Sequence, residues 1–216
     1  IVFGIWDGEV INNLGKRYFE INDSPEFQNF DELTPGNPIK AYFGWKGFFI
    51  FDKTVNLLDA AAQYIEKVAR ESCGKCTPCR VGTRILKEKI EALLNGEGLE
   101  ADLEEIASIG EHIQSSSLCG LGQTGPAPIT EMIRYFRKEL GEEIWKAKNS
   151  GRPPVQPGVS YITAPCIEAC PAKVQVPDYI DYIKAGKFAH SVGVVLKSYP
   201  MAETCGRVCV DRKSVV

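Results

Sequence analysis

No run of apolar residues in this 216-residue chain approaches the ~20 that a bilayer crossing needs; the longest, Phe48-Phe49-Ile50-Phe51 and Val192 to Leu196, are sized for a core. A basic-then-apolar leader is missing too, and Ile1 stands first instead of Met, as in a processed product or a fragment. There is no basic excess: 25 Lys and Arg face 28 Asp and Glu, a formal charge of -3. That balance excludes the electrostatic footprint of a nucleic-acid-binding module. The chain has no Ser–His–Asp pattern, no H-E-x-x-H and no phosphate-binding P-loop, no internal repeat and no low-complexity tract. The first 72 residues contain no cysteine. What remains is a chain 44% apolar, rich enough for a packed core and too apolar for wholesale disorder. Its length suits one large domain or two small ones.

The eight cysteines are unevenly placed: three within seven residues (Cys73, Cys76, Cys79), one alone (Cys119), and two pairs near the end (Cys166 with Cys170, Cys205 with Cys209). A disulfide-stapled secreted domain is usually shorter and spreads its cysteines more evenly. Tight clustering without an export signal points to metal in a reducing cytoplasm.

Residues 1–53 read as mixed and partly β. Ile1 to Trp6, Arg17 to Ile21 and Ala41 to Phe51 are aromatic and β-branched, with turn signals at Asp7-Gly8, Asn12-Asn13 and Pro35-Gly36-Asn37-Pro38. Residues 54–148 read as four amphipathic helices with short links, a bundle. Thr54 can cap the first, which carries Leu57, Leu58, Ala61, Tyr64, Ile65 and Val68. The second follows the cysteine loop with Leu86, Ile90, Leu93 and Leu94 on one face and stops at Asn95-Gly96. The third runs from about Ala101 to Gln114, and the fourth starts near Pro126 or Pro128 and keeps its spacing to Ile144. Residues 149–165, with Pro153, Pro154 and Pro157, form a stiff linker and domain boundary. Residues 166–216 return to helix, over Pro177 to Ala185 and Phe188 to Leu196.

The first cysteine group is Glu71-Ser72-Cys73-Gly74-Lys75-Cys76-Thr77-Pro78-Cys79-Arg80, with Cys119 forty residues beyond Cys79. Three thiolates spaced C-x2-C-x2-C can hold three corners of a cubane, and a remote thiolate closes the fourth. Gly74 relieves crowding, loop N–H groups can bond the cluster's sulfurs, and Lys75, Arg80 and Arg84 offset its negative charge. The helix after Cys79 points its positive end at the site. Structural zinc is the alternative. Its ligands usually come as two separated pairs, which a triplet plus a singleton fits poorly. Disulfides among neighbours in so short a loop would lack good geometry.

The run Glu71 to Arg80, then Ser117-Leu118-Cys119-Gly120-Leu121-Gly122-Gln123-Thr124, then Ile133-Arg134-Tyr135-Phe136-Arg137 resembles the C-terminal domain of the NADH-oxidising flavoprotein subunit of respiratory complex I. The same domain occurs in related soluble hydrogenases and formate dehydrogenases. The resemblance covers about residues 55–147. It implies a [4Fe–4S] cluster on Cys73, Cys76, Cys79 and Cys119 that takes electrons from FMN and passes them on. In that family a large FMN- and NADH-binding region precedes the domain. Its glycine-rich loop has no counterpart in residues 1–53, so the cluster domain is expected without the flavin site.

Gly120-Leu121-Gly122-Gln123-Thr124-Gly125 satisfies G-x-G-x-x-G. A dinucleotide fingerprint follows a buried strand and opens a helix. Here Ser115-Ser116-Ser117 precede it and Pro126 and Pro128 follow, so its glycines are read as letting the backbone bend around Cys119.

Cys166-Ile167-Glu168-Ala169-Cys170-Pro171 is C-x3-C-P, the tail of the bacterial ferredoxin run. The two earlier positions are Ser160 and Thr163, not cysteine. With Cys205-Gly206-Arg207-Val208-Cys209 the region has four thiols, enough for one cluster. Pro165 to Ala172, Val176-Pro177-Asp178-Tyr179-Ile180, Gly186-Lys187-Phe188 and Cys205 to Cys209 resemble the N-terminal iron–sulfur domain of the glutamate synthase small subunit and dihydropyrimidine dehydrogenase. That domain carries [4Fe–4S] clusters and leads into an FAD- and NAD(P)H-binding domain. The resemblance implies Cys166, Cys170 and Cys209 at ligand-like positions. Cys205 stands where relatives do not always have cysteine, and further cysteines usually follow where Asp211 to Val216 stand here. A second cluster and a truncated domain with loose thiols or adventitious zinc both remain open.

His112 is read as a surface or neighbouring histidine, since four cysteines fill the first site, and His190 as a helix-surface residue without a partner. Acidic residues from Glu97 to Glu105 suit a helix start.

The expected fold is mainly α. A helical bundle holds an iron–sulfur cluster, a small mixed α/β segment precedes it, and a small helical iron–sulfur domain follows. The expected function is electron transfer within an NAD(P)H-dependent, flavin-linked oxidoreductase complex. Flavoprotein and other iron–sulfur subunits are the partners. FAD or FMN and NAD(P)H sit on adjoining domains or partner subunits rather than on this chain. A metal-stapled docking scaffold without redox turnover is the alternative. An independent NAD(P)H-oxidising enzyme is disfavoured by the missing phosphate-binding loop.

Overall fold

The computed structural model describes residues 1–17, 20–21 and 39–209. Its elements run β1 (Phe3–Trp6), β2 (Glu9–Asn12), β3 (Ala41–Gly44), β4 (Gly47–Ile50), α1 (Leu57–Glu71), α2 (Thr77–Leu94), α3 (Asp102–Ser116), α4 (Gly120–Thr124), α5 (Ala127–Ser150), β5 (Val159–Tyr161), α6 (Pro165–Ala169), α7 (Val176–Lys184), α8 (Phe188–Ser198) and α9 (Ala202–Val208). No helix among the described residues is long and apolar enough to cross a membrane.

The strands form one sheet in the order β2-β1-β4-β3-β5. β1 and β2 pair antiparallel around Asp7-Gly8, and both turn residues have positive φ, 52° and 84°. This is the backbone that matches the twist of a two-residue hairpin. The stretch Ala41 to Phe51, which reads as one apolar run, folds back on itself at Trp45-Lys46 so that β3 pairs with β4. β5 then adds to β3 in parallel. Strand β5 lies inside the Pro-rich stretch: Asn149 and Ser150 still belong to α5, and Val159–Tyr161 join the sheet beside β3. Of the strand expected over Arg17 to Ile21, Tyr18 and Phe19 lie outside the described residues, as does the turn Pro35 to Pro38.

Aromatic rings weld the sheet to the helices. Phe3 meets Phe136 of α5 edge-on at 4.6 Å, and Phe43 stacks on Tyr64 of α1 at 5.1 Å. Such pairs contribute about 0.5–1.5 kcal/mol each beyond the area they bury. The four expected helices are α1, α2, α3 and α5. Leu86, Ile90, Leu93, Leu94, Leu103, Ile106, Ile129 and Met132 are all buried between them, which is the apolar stripe that a 3.6-residue period dictates.

The start of α1 shows where local sequence misleads. Asn56, not Thr54, is the N-cap, accepting from the Asp59 N–H. The next orphan donors are met from far along the chain. Glu143 of α5 accepts from the Leu57 N–H at 2.9 Å and the Leu58 N–H at 2.8 Å, and Gln156 accepts from the Asn56 N–H at 3.0 Å. Burial raises the Glu143 pKa against the pull of those two N–H groups. Glu143→Ala leaves two helix-start donors without their charged acceptor and is expected to destabilise the chain by about 1.5–3 kcal/mol, read by denaturant unfolding.

Candidate metal centre

The first cysteine group lies where four helix ends meet. Ser72 ends α1, Cys76 is the N-cap of α2, Ser117 ends α3 and Cys119 is the N-cap of α4. Gly74, between Cys73 and Cys76, has φ 80°, a backbone that only glycine adopts without strain. Arg80 braces the loop by donating to the Gly74 carbonyl at 2.8 Å. Helix α2 starts earlier than its spacing suggests, so Cys79 lies in its first turn and not ahead of it. Cys79 is buried at 4% exposure, whereas Cys73 and Cys119 are exposed and Cys76 is half-buried.

The four thiols are free and electrically aware of one another. Burial pushes the Cys79 thiol up to about 11; the Ser72 hydroxyl opposes this, and the charges of Cys76, Cys119 and Cys73 add to it. Burial also works against ionisation of Cys76. There the N–H groups of Leu118, Cys79 and Cys76 itself, with the Ser117 hydroxyl, outweigh it and hold that thiol below its ordinary value. Among the described residues, no group of three or more His, Cys, Asp or Glu side chains is drawn close enough to hold a metal ion. A set of four spaced thiols, several N–H donors and a buried hydroxyl fits a larger, anionic, thiolate-held group such as a [4Fe–4S] cluster.

The glycines of the G-x-G-x-x-G run serve close packing. A Cβ on Gly122 would collide with the Ser117 side chain and lie 3.2 Å from Cys79 Cβ. The bare backbone thus lets α4, with Cys119 at its head, close on Cys79. A Cβ on Gly120 would come within 2.9 Å of Pro165, which brings α6, and Cys166 with it, against α4.

The second group is less gathered. Cys166 lies in α6 and Cys170 caps its end; Cys205 lies in α9 and Cys209 caps its end, and α9 packs on α8. All but Cys209 are half-buried, and Cys209 is exposed. The sequence end Asp211 to Val216 lies outside the described residues. His112 is exposed. His190 does have a partner, stacking on Tyr182 at 5.5 Å.

A buried polar network joins the two cysteine regions. Glu71, fully shielded at its side chain, pairs with Lys67 at 2.7 Å and accepts from the Thr163 hydroxyl. Lys67 also pairs with Asp178 of α7 at 2.6 Å, and Lys184 donates to the Ser72 carbonyl at 2.9 Å. Sequence reasoning found the thiols but missed Ser72, Lys184 and this network. Ser72 and Ser117 both stood inside quoted motifs, yet nothing local marks a lysine 112 residues away from Ser72 as its partner.

The fold and the thiol set define an iron–sulfur protein, and comparison with known families bears this out in two stretches. Residues 59–143 match the NADH-ubiquinone oxidoreductase-F iron-sulfur binding region. Residues 159–214 match the dihydropyrimidine dehydrogenase domain II, 4Fe-4S cluster family. Two stretches of the chain are thus each similar to a different iron–sulfur family. It is 30% identical to the NADP(+)-dependent formate dehydrogenase subunit beta of Moorella thermoacetica, over 97% of this chain and 34% of that protein. It is also 30% identical to the NADPH-Fe(3+) oxidoreductase subunit beta of Geobacter sulfurreducens, over 97% of this chain and 30% of the relative. An NADH-quinone oxidoreductase subunit from Streptomyces coelicolor is 39% identical over 47% of this chain and 22% of its own length. The chain spans about a third of the length of the first two relatives.

Proposed function

We propose that this chain relays electrons between a flavin and other redox centres in a cytoplasmic, NAD(P)H-dependent oxidoreductase complex. Cys73, Cys76, Cys79 and Cys119 hold the first cluster, and Cys166, Cys170, Cys205 and Cys209 hold the second. The gathering of the first four thiols at one junction of helix ends carries this reading. The names of the relatives, with their NADP(+), NADPH and NADH chemistry, support the pyridine-nucleotide link. In this reading the flavin and nucleotide sites belong to adjoining domains or to partner flavoprotein and iron–sulfur subunits.

When bound, a [4Fe–4S] cluster takes up and gives back one electron, and its potential follows burial, hydrogen bonds and nearby charge. The chain's own residues set those conditions. Cys79 is held in the core, the Leu118 and Cys79 N–H groups face the Cys76 sulfur, and Arg80 fixes the loop that carries Cys73. The Lys67–Asp178 pair and the Lys184 bond to the Ser72 carbonyl hold the C-terminal helices against that junction.

Iron and acid-labile sulfide, counted per chain after anaerobic purification, test the ligand assignment. About eight of each support both clusters. About four restrict the assignment to one site. Zinc without sulfide overturns it in favour of a metal-stapled scaffold.

A further inference from the structure

Two hydroxyls close on the first thiol set, and neither is needed to complete the helices that carry it. Ser117 is 6% exposed, and its Oγ is a buried side-chain atom that meets the geometry of no hydrogen bond within the described residues. Burying a hydroxyl in that state is unfavourable unless something at the site accepts its proton. It stands among the thiols: the bare Gly122 backbone is hemmed in by the Ser117 side chain on one hand and by Cys79 Cβ, 3.2 Å from where a Gly122 Cβ would lie, on the other, and Cys76 is within the hydroxyl's reach. Ser72, 7% exposed, lies 3.3 Å from Cys79 Sγ, which donates to it while the thiol carries its proton. Once Cys79 loses that proton the direction must reverse, because a thiolate can only accept.

We infer that Ser72 and Ser117 set the reduction potential of the first cluster by donating hydrogen bonds to its ligand sulfurs, Ser72 to Cys79 and Ser117 to Cys76. The inference rests on the proposed ligand set. Its sign follows from charge. An added electron makes cluster and thiolates more negative, so donors aimed at the sulfurs stabilise the reduced form more than the oxidised one and raise the potential. Burial strengthens the effect, because little water competes at that junction. Both are positioning residues that act through cysteine.

The test is an EPR-monitored redox titration of the anaerobically purified, iron-loaded chain and of its Ser117→Ala and Ser72→Ala variants. Each variant is expected to keep its iron and sulfide but to show a lower midpoint. At the wild-type midpoint the ratio of reduced to oxidised cluster should fall about tenfold in Ser117→Ala, which is 59 mV for a one-electron couple. Proton ENDOR of the reduced wild-type chain in H2O and D2O should show an exchangeable proton coupled to the cluster that Ser117→Ala lacks. Full iron with unchanged midpoints in both variants overturns the inference and leaves the ligand set standing. If Ser117→Ala loses iron, Ser72→Ala decides: an unchanged midpoint there is equally fatal. Absence of iron and sulfide from the wild-type chain removes the ligand set first and the inference with it.

Discussion

Cys119→Ala should lose one whole cluster, about four irons and four sulfides per chain, while the protein stays folded. The residue is exposed and caps a five-residue helix whose start has no side-chain hydrogen bond, so its thiol contributes little to packing. The elements around it are held elsewhere: Leu121 is buried in the core, and the Gln123 side chain donates to the Ser117 carbonyl at 3.0 Å. Circular dichroism should therefore be unchanged while iron falls. Cys79→Ala tests the same ligand set less cleanly, because Cys79 is itself part of the core and its loss also opens a small cavity. Iron retained in full by Cys119→Ala would show that the fourth ligand is another residue.

Lys67→Met should destabilise the folded chain by about 3 kcal/mol, near the lower end of what breaking a buried ion pair costs. The substitution keeps the side chain's length and apolar stem. It removes the cation that bridges Glu71 and Asp178. Asp178 keeps Arg70 at 3.4 Å and is partly exposed, so its loss is small. Glu71 keeps the Thr163 hydroxyl, and its side chain has no access to water. Burial already pushes the Glu71 carboxyl up, with Lys67 working against it. Glu71→Gln should cost less, because Lys67 retains Asp178 and the amide can still accept from Thr163. Denaturant unfolding of the two variants gives the comparison. Equal losses would mean that the network acts as hydrogen-bonded packing rather than as a charge pair. The lysine also joins α1 to α7 across the two iron–sulfur regions, so its removal is expected to loosen α7 before the bundle melts, seen as faster amide exchange in residues 176–184.

The helices of the bundle were legible because each buries one stripe, and a stripe has a period. Leu86, Ile90, Leu93 and Leu94 mark α2 as plainly in the sequence as in the core. The cysteine loop was legible for a different reason: three thiols at C-x2-C spacing have few uses. Short elements were harder. Strand β5 is three residues long and follows prolines, so nothing local distinguishes it from a linker; its partner β3 is more than a hundred residues earlier. The β3–β4 hairpin turns at Trp45-Lys46, neither of which is a turn-forming residue, and the run of aromatic residues on both sides hides the reversal. Thr54 and Asn56 are both competent caps, and the choice falls to Asn56 because Glu143 and Gln156 arrive to serve the donors beside it. Ser72 and Ser117 lie within the cysteine motifs, but a lysine brought to them by tertiary packing, such as Lys184 at the Ser72 carbonyl, has no signal in a single sequence.

EPR of the anaerobically purified chain, recorded as isolated and after reduction by dithionite, tests the relay most directly. The account predicts no strong signal before reduction. After reduction it predicts the spectrum of reduced [4Fe–4S] centres, broadened by interaction between two of them, as the packing of α4 against α6 at Gly120 and Pro165 implies. A chain that carries metal yet stays EPR-silent at every potential, with zinc in place of iron and sulfide, would contradict it.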